Sequence, residues 1–122
     1  MPLLVLDPVS GPRRARLPDI YEAVWALVST VPPGRVTTYG AIARALAVSP
    51  RLVGRALAAN PEPIVVPCHR VVRSDGSLGE YSMGGPRVKA LLLRLEGVPV
   101  GDDGRVPEEY IIRELPPGRI DS

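Results

Sequence analysis

The chain has 122 residues and a formal net charge of +2, so it fits one compact domain and is short for two. No apolar run approaches the roughly eighteen residues that a membrane span needs, and the first residues lack the features of a signal peptide. We therefore expect an intracellular, cytoplasmic protein with no membrane partner. A single cysteine and a single histidine exclude an internal disulfide and a structural zinc site made of four cysteine or histidine ligands.

Positive charge is concentrated in the middle of the chain. Residues 31–60 contain four arginines and no acidic residue, whereas residues 101–122 contain six acidic residues and three arginines. The middle is therefore a candidate anion-binding surface, although charge alone would fit a solvated face equally well.

Capping signals place three helices in the first half of the chain. Asp19 and Glu22 have the spacing of a capping box, and apolar residues then recur at helical spacing up to a Pro-Pro-Gly sequence. A short helix follows Thr37 or Thr38 as its cap, and another follows Ser49, with a proline in its first turn. Two short helices joined by a tight turn predict a helix-turn-helix.

The second of these short helices has an unusual outward face. Its apolar residues point one way, which leaves Arg51, Gly54, Arg55 and Ala58 on the other side. A solvent face normally carries long side chains of both charges, so two arginines among small residues indicate close approach by an anion such as a nucleic acid. Tight packing against another helix is the alternative that the pattern leaves open.

The second half of the chain is predicted to contain a short buried strand at residues 64–66, a hairpin across residues 71–79 and a last helix from Gly85 to about Glu96. The residues predicted on the buried side of that helix are Val88, Leu91, Leu92 and Leu95. A helix-turn-helix followed by a hairpin resembles a winged helix. The predicted fold class is therefore mainly α with a small β-hairpin, in one winged helix-turn-helix-like domain.

The only thiol and the only imidazole are adjacent, at Cys68 and His69, directly after the predicted strand. A lone cysteine is more often a small buried hydrophobe, and a lone histidine is more often a satisfied polar group. A nucleophilic cysteine needs a nearby base or positive charge to form its thiolate. Because adjacency in sequence does not prove contact, the pair alone supports a structural and a nucleophilic cysteine equally.

The sequence around this pair resembles a known family, the O6-alkylguanine-DNA alkyltransferases, also called methylated-DNA-protein-cysteine methyltransferases. The resemblance covers about residues 20–97, which correspond to the family's C-terminal domain. Its most specific element is the Pro-Cys-His-Arg-Val motif at residues 67–71. The supporting matches are Thr38-Tyr39-Gly40, Arg51-Leu52-Val53-Gly54, Asn60-Pro61, Gly79-Glu80-Tyr81-Ser82, Gly84-Gly85 and the stretch from Lys89 to Glu96-Gly97.

The resemblance implies DNA repair by stoichiometric, irreversible transfer of an alkyl group from guanine O6 to Cys68 after base flipping. His69 would take the thiol proton through a water, Glu96 would orient His69, and Asn60 would brace the active-site turn. No metal and no organic cofactor are implied. The partner would be double-stranded DNA containing O6-alkylguanine, bound through the minor groove by a monomer, with other repair proteins as candidate partners.

The resemblance also implies a set of DNA contacts. Arg51 would fill the gap that the flipped nucleotide leaves in the base stack, and the Tyr39 hydroxyl would act on the flipped base. Gly54 and Arg55 would keep the recognition helix flat and basic for the minor groove. The residues implied to line the base pocket are Val71, Tyr81 and Ser82.

The chain departs from the family pattern at both ends. We expect residues 1–19 to form an N-terminal extension where most members have a further domain, residues 20–97 to form the DNA-binding and active-site domain, and residues 98–122 to form an acidic C-terminal tail. The loop at residues 82–85 is also one residue longer than usual.

Two other functions stay open at this point. Alkyltransferase-like proteins bind the same lesions and sense them without repair, but they typically lack the cysteine that this chain has. A cysteine hydrolase would use Cys68, His69 and a carboxylate, but it leaves the arginine-bearing helix unexplained.

Overall fold

The computed structural model describes residues 4–7, 11–14 and 16–116, with side chains from residue 16 onward. Helices dominate this part of the chain, so the mainly α fold class is confirmed. The elements are, in chain order, β1 (Leu4–Asp7), β2 (Gly11–Arg14), α1 (Leu17–Val28), β3 (Val36–Thr38), α2 (Tyr39–Leu46), α3 (Pro50–Ala58), a 3₁₀ turn (Cys68–Arg70), β4 (Val71–Val72), α4 (Gly85–Leu95), a second 3₁₀ turn (Glu108–Tyr110) and β5 (Ile111–Ile112).

The caps of α2 and α3 produce the helix-turn-helix. The Thr38 side-chain oxygen accepts a hydrogen bond from the Ala41 backbone N–H (3.0 Å), and the Ser49 side-chain oxygen accepts one from the Leu52 N–H (3.2 Å). Each bond satisfies a backbone donor that the first turn of a helix leaves without an intrahelical acceptor. Both helices therefore start where their capping residues predict.

Helix α1 packs against α3. It begins at Leu17, earlier than predicted, and the Asp19 carboxylate accepts a hydrogen bond from the Arg16 backbone N–H (2.9 Å). Near the other end of α1, Trp25 Nε1 donates a hydrogen bond to the Ala56 carbonyl oxygen of α3 (2.7 Å). The two helices are thus joined by a directional bond as well as by apolar packing.

The three-stranded sheet replaces the predicted hairpin. Strand β3 lies between β4 and β5 and pairs in parallel with both. The chain does turn after β4, where the Arg73 N–H donates to the Ser77 carbonyl oxygen (2.9 Å), but Ser77 then bridges to Arg105. The hairpin prediction at residues 71–79 is wrong, because the returning arm pairs with residues 104–106 rather than with β4, which pairs with β3.

Residues 64–66 are not a buried strand. Ile64 is 56% exposed and Val65 is 72% exposed, and Ile64 has a φ of 77°. Asn60 Nδ2 donates a hydrogen bond to the Val66 carbonyl oxygen (3.0 Å), which closes a tight loop. The loop directs the apolar side chains between its ends toward solvent, so the prediction from their apolar character is wrong.

Helix α4 has the predicted ends, and Val88 and Leu92 of its predicted buried face are partly buried against the core, but the other two residues are not. Leu91 is 55% exposed and Leu95 is 75% exposed. The fully buried charged side chain on this helix is Lys89, whose ammonium donates to the backbone carbonyl oxygens of Leu78 and Glu80. Those two acceptors make the burial of a cation possible, and an apolar pattern cannot reveal them. The buried residues of α4 are Lys89, Ala90 and Leu93.

The segment after α4 packs back on the body of the protein. Strand β5 extends the sheet, and Thr37 Oγ1 donates a hydrogen bond to the Ile112 carbonyl oxygen (2.7 Å). Among the residues described, this segment supplies four of the nine buried members of a second apolar cluster. The four residues are Val98, Val100, Val106 and Ile111. Across the residues described, no helix has the length and apolar character needed to cross a membrane.

Replacing Ile111 by alanine tests this packing. Ile111 is 7% exposed, and a buried isoleucine truncated to alanine loses roughly 2–5 kcal/mol of unfolding free energy. Leu95→Ala is the matched control, because the same loss of side chain at a site 75% exposed should change stability by less than about 0.5 kcal/mol. Urea unfolding of both variants checks the expectation, and equal values would show that residues 98–112 do not contribute to the core.

Candidate active site and nucleic-acid interface

A pocket of about 650 Å³ lies between the outward face of α3 and the chain around Cys68. It collects side chains from α2, α3, the first 3₁₀ turn and the loop before α4. The predicted site residues that line it are Tyr39, Arg51, Gly54, Arg55, Cys68, Tyr81 and Ser82. The pocket therefore joins the basic helix face to the thiol.

The outward face of α3 is an open surface. Arg51 and Arg55 are exposed, and neither forms an ion pair or hydrogen bond with the residues that the structure describes. A Cβ added at Gly54 would meet no atom within 4 Å. Close packing against another helix of the described chain is thus not the reason for small residues here. The face can accept a broad anionic surface such as a DNA backbone.

The turn that carries Cys68 is fixed by its backbone. The Cys68 N–H donates to the Val66 carbonyl oxygen (2.8 Å), and Asn60 Nδ2 donates to the same oxygen (3.0 Å). Asn60 Oδ1 in turn accepts from the Glu62 N–H (2.9 Å). Cys68 is 5% exposed, so its thiol is held at the wall of the pocket rather than free in solvent.

His69 is buried, does not line the pocket, and has its Nε2 beside the residue that follows α4. Its Nε2 lies 3.2 Å from Glu96 Oε2, within hydrogen-bond distance although not well aligned. A carboxylate only accepts, so Nε2 carries the hydrogen and Nδ1 keeps its lone pair. Burial lowers the pKa of His69, and the nearby Glu96 opposes that effect only partly. His69 is therefore a neutral imidazole with a free basic nitrogen at neutral pH.

Glu96 has a second partner, Arg70, which the sequence interpretation did not single out. The Arg70 guanidinium forms two hydrogen bonds to the Glu96 carboxylate and a third to the Val31 carbonyl oxygen (2.8 Å). Partial burial raises the pKa of Glu96, but the hydrogen bonds from Arg70 and His69 outweigh burial and leave it lowered. Glu96 is therefore held as a carboxylate. The signal that could have identified Arg70 is its place in the same five-residue motif as Cys68.

Lys89 is the second functional candidate that the sequence interpretation missed. Burial lowers its pKa to about 8, even though the nearby Cys68 acts in the opposite direction. Its Nζ lies 5.9 Å from the centre of the Tyr39 ring. Because it also binds the backbone at residues 78 and 80, Lys89 fixes the loop that carries Tyr81 and Ser82.

The remaining predicted residues lie around this centre. Val71 is fully buried in the sheet behind the pocket, and Ser82 is exposed at its rim. Tyr81 is 7% exposed, and burial raises its pKa, as it does that of Tyr39. In the described part of the chain, no three side chains among His, Cys, Asp and Glu cluster as metal ligands would.

Comparison with known proteins assigns this arrangement to a family. The family model described as 6-O-methylguanine DNA methyltransferase, DNA binding domain, matches residues 19–98. The methylated-DNA–protein-cysteine methyltransferase of Rattus norvegicus is 48% identical over 83 residues, which is 66% of this chain and 39% of that protein. The chain spans less than half the length of this curated relative.

Two solved structures are similar in fold. The S. pombe Atl1 complex with damaged DNA containing O6-carboxymethylguanine aligns with a TM-score of 0.68 and 30% identity, over 81% of this chain and 99% of that one. Mycobacterium tuberculosis OGT in complex with DNA aligns with a TM-score of 0.62 and 40% identity, over 69% and 51% of the respective chains. The chain belongs to the 6-O-methylguanine DNA methyltransferase family through its DNA-binding domain.

Proposed function

We propose that this protein repairs DNA by transferring an alkyl group from guanine O6 to Cys68, irreversibly and once per molecule. The observation that carries the proposal is the single pocket that joins Cys68 to the unpaired basic face of α3. Behind Cys68, the neutral His69 and the ionised Glu96 provide a base and its orienting partner. Substrate binding and proton removal are thus combined at one thiol.

DNA binding would use the outward face of α3 in the minor groove. Arg51 and Arg55 carry positive charge that has no partner in the described protein and can pair with phosphates. Gly54 leaves open space between them, so the helix backbone can approach closely. A narrow groove requires such a flat surface.

Transfer requires the damaged base to leave the stack and enter the pocket. Arg51 lies in the first turn of α3 at the pocket wall, where it can take the place of the extruded base. The Tyr39 hydroxyl, with its raised pKa, stays protonated and can donate to a ring nitrogen of guanine. The Tyr81 ring, Ser82 and the backbone near Val71 would hold the base.

The chemical step exchanges one proton and one alkyl group. The thiol proton of Cys68 passes through a water to His69 Nδ1, the sulfur attacks the alkyl carbon, and the C–O6 bond breaks with its electron pair going to guanine. Guanine then gains the proton that the thiol lost. The product thioether is not readily cleaved by water, so each molecule acts once.

The alternative function is lesion binding without transfer. It is favoured by the similarity to Atl1, which was solved in complex with damaged DNA and of which 99% aligns with this chain. The presence of Cys68 at the pocket wall, with His69 and Glu96 behind it, supports transfer over sensing.

Incubation with a duplex that contains one O6-methylguanine tests the proposal. We expect the intact mass to rise by one methyl group, and digestion to locate that group on Cys68. Cys68→Ala should remove transfer but keep lesion binding, because alanine fills the same place without a nucleophile. Unmodified wild-type protein that still binds the lesion would establish the sensor function instead.

Arg51→Ala should slow transfer from duplex DNA by at least about tenfold. Without the arginine, the gap that the extruded base leaves in the stack stays unfilled, which should raise the activation free energy of transfer by more than roughly 1.4 kcal/mol. Reaction with the free base O6-methylguanine should change little. Arg55→Ala is the matched control: it removes a phosphate contact, so it should weaken DNA binding and lower its salt dependence without slowing transfer at saturating DNA. Equal slowing of duplex and free base by Arg51→Ala contradicts the stack-filling role.

The titration of His69 tests its role as a neutral base. As the only histidine, it gives an unambiguous NMR signal, and we expect its pKa below 6.5 because of burial. Glu96→Gln should lower that pKa further, since the carboxylate is the group that raises it. Glu109→Gln, an exposed site elsewhere, should leave it unchanged.

The same shift sets a pH window for stability. Below pH 6.5 the unfolded chain protonates His69 before the native protein does, so stability should fall as pH drops from 6.5 toward the native pKa. The lowered pKa of Glu96 adds a second loss, which begins below its ordinary value of 4.5. A His69 pKa above 6.5 would refute the neutral-base assignment.

A further inference from the structure

The hydroxyl group of Tyr81 is buried without a protein partner. The residue is 7% exposed, its oxygen is shielded from solvent, and no hydrogen bond to it forms within the described part of the chain. A phenol can donate one hydrogen bond and accept others, and leaving it unpaired in the interior is unfavourable. The group therefore needs a partner that is not a protein side chain or backbone atom of the described residues.

His69 has the same need, and it lies beside Tyr81. Its Nδ1 is buried and has no partner among the described atoms. The two rings are 6.4 Å apart between centroids and meet edge to face at 77°. Cys68 precedes His69 in the chain and belongs to the same core cluster as Tyr81, and it is close enough to contribute to the raised pKa of that tyrosine.

We infer that Tyr81 is a positioning residue whose hydroxyl, together with His69 Nδ1 and Cys68 Sγ, holds the water through which the thiol proton leaves. The inference rests on the proposed function and assigns the tyrosine a part in it beyond contact with the base. A buried water typically makes about three hydrogen bonds, and these three atoms supply that number. The Tyr81 oxygen accepts from or donates to the water and so fixes its orientation between sulfur and imidazole.

The burial of the Tyr81 oxygen decides between this role and contact with the guanine base. The residue lines the pocket, yet its oxygen is inaccessible to solvent. The part of Tyr81 presented to a base is therefore its ring, because a base that enters from the open pocket does not reach the buried oxygen.

The proton path is complete with these groups. The water gives one hydrogen to His69 Nδ1 as it receives the thiol hydrogen from Cys68, so it is unchanged overall and Tyr81 keeps its own proton. His69 becomes an imidazolium that faces Glu96 through Nε2–H. No oxidant, reductant or cofactor takes part.

Other ionisable groups also face this centre, and they must stay constant in a test. Tyr39 comes from α2, Arg73 and Glu80 come from the loop between β4 and α4, Lys89 comes from α4, and Glu96 directly follows α4. The Arg70 guanidinium also acts on His69. A substitution that removes only the Tyr81 oxygen leaves all of these charges in place.

The test compares Tyr81→Phe with the wild-type chain, with Tyr110→Phe as the control for loss of a phenol outside the site. The readout is the rate at which iodoacetamide alkylates Cys68 across pH, and the product is unambiguous because the chain has one cysteine. We expect Tyr81→Phe to move the midpoint of the rate profile up by about one pH unit, which makes the reaction about tenfold slower at pH values below both midpoints. Tyr110→Phe should follow the wild-type profile.

Thermal unfolding provides the second readout. If the hydroxyl binds a buried water, its removal should lower the unfolding midpoint, whereas removal of a hydroxyl with no partner should raise it. If Tyr81→Phe leaves the alkylation profile unchanged, the inference is overturned. This holds even if the variant has a different unfolding midpoint or a lower affinity for lesion DNA. Because the assay uses no DNA, it gives its answer even if the protein does not transfer an alkyl group from guanine.

Discussion

The ion pair between Arg70 and Glu96 is the interaction on which the arrangement of the site depends. The Arg70 guanidinium donates hydrogen bonds to both Glu96 carboxylate oxygens and to the Val31 carbonyl oxygen. It therefore connects the 3₁₀ turn that carries Cys68 to the end of α4 and to the chain after α1. Two parallel hydrogen bonds fix the plane of the carboxylate as well as its position. The Glu96 carboxylate beside His69 Nε2 is therefore held in a fixed position and orientation.

The pair also explains why α4 can end where it does. Glu96 is the residue that follows the last turn of α4, where the helix dipole disfavours negative charge. The nearby guanidinium neutralises that charge and keeps the carboxylate ionised. An acidic residue that is unfavourable for the helix by itself is thus favourable for the site as a whole.

The parts of the structure that depend on local chemistry could be predicted from sequence. Ser49 and Thr38 cap helices through bonds to backbone groups three residues away, and the alternation of apolar and basic residues on α3 follows from helical spacing. The outward direction of Arg51 and Arg55 needs no knowledge of the rest of the fold. The same holds for the ends of α4.

The parts that depend on distant partners could not be predicted. Lys89 is buried because two carbonyl oxygens of another segment receive its ammonium, and residues 64 and 65 are exposed because Asn60 closes the loop around them. The chain after β4 likewise pairs with residues 104–106, which follow α4, rather than with β4 itself. The motif located the thiol, but contacts between segments determine what surrounds it.

The bond between Trp25 and the Ala56 carbonyl oxygen gives the protein a built-in optical probe. Trp25 is the only tryptophan of the chain, and its indole N–H is attached to the helix whose opposite face is open to a ligand. Indole emission depends on hydrogen bonding and on the polarity around the ring. A ligand that shifts α3 relative to α1 should therefore change the intrinsic fluorescence of the protein, so binding to the helix face can be followed in real time without a label.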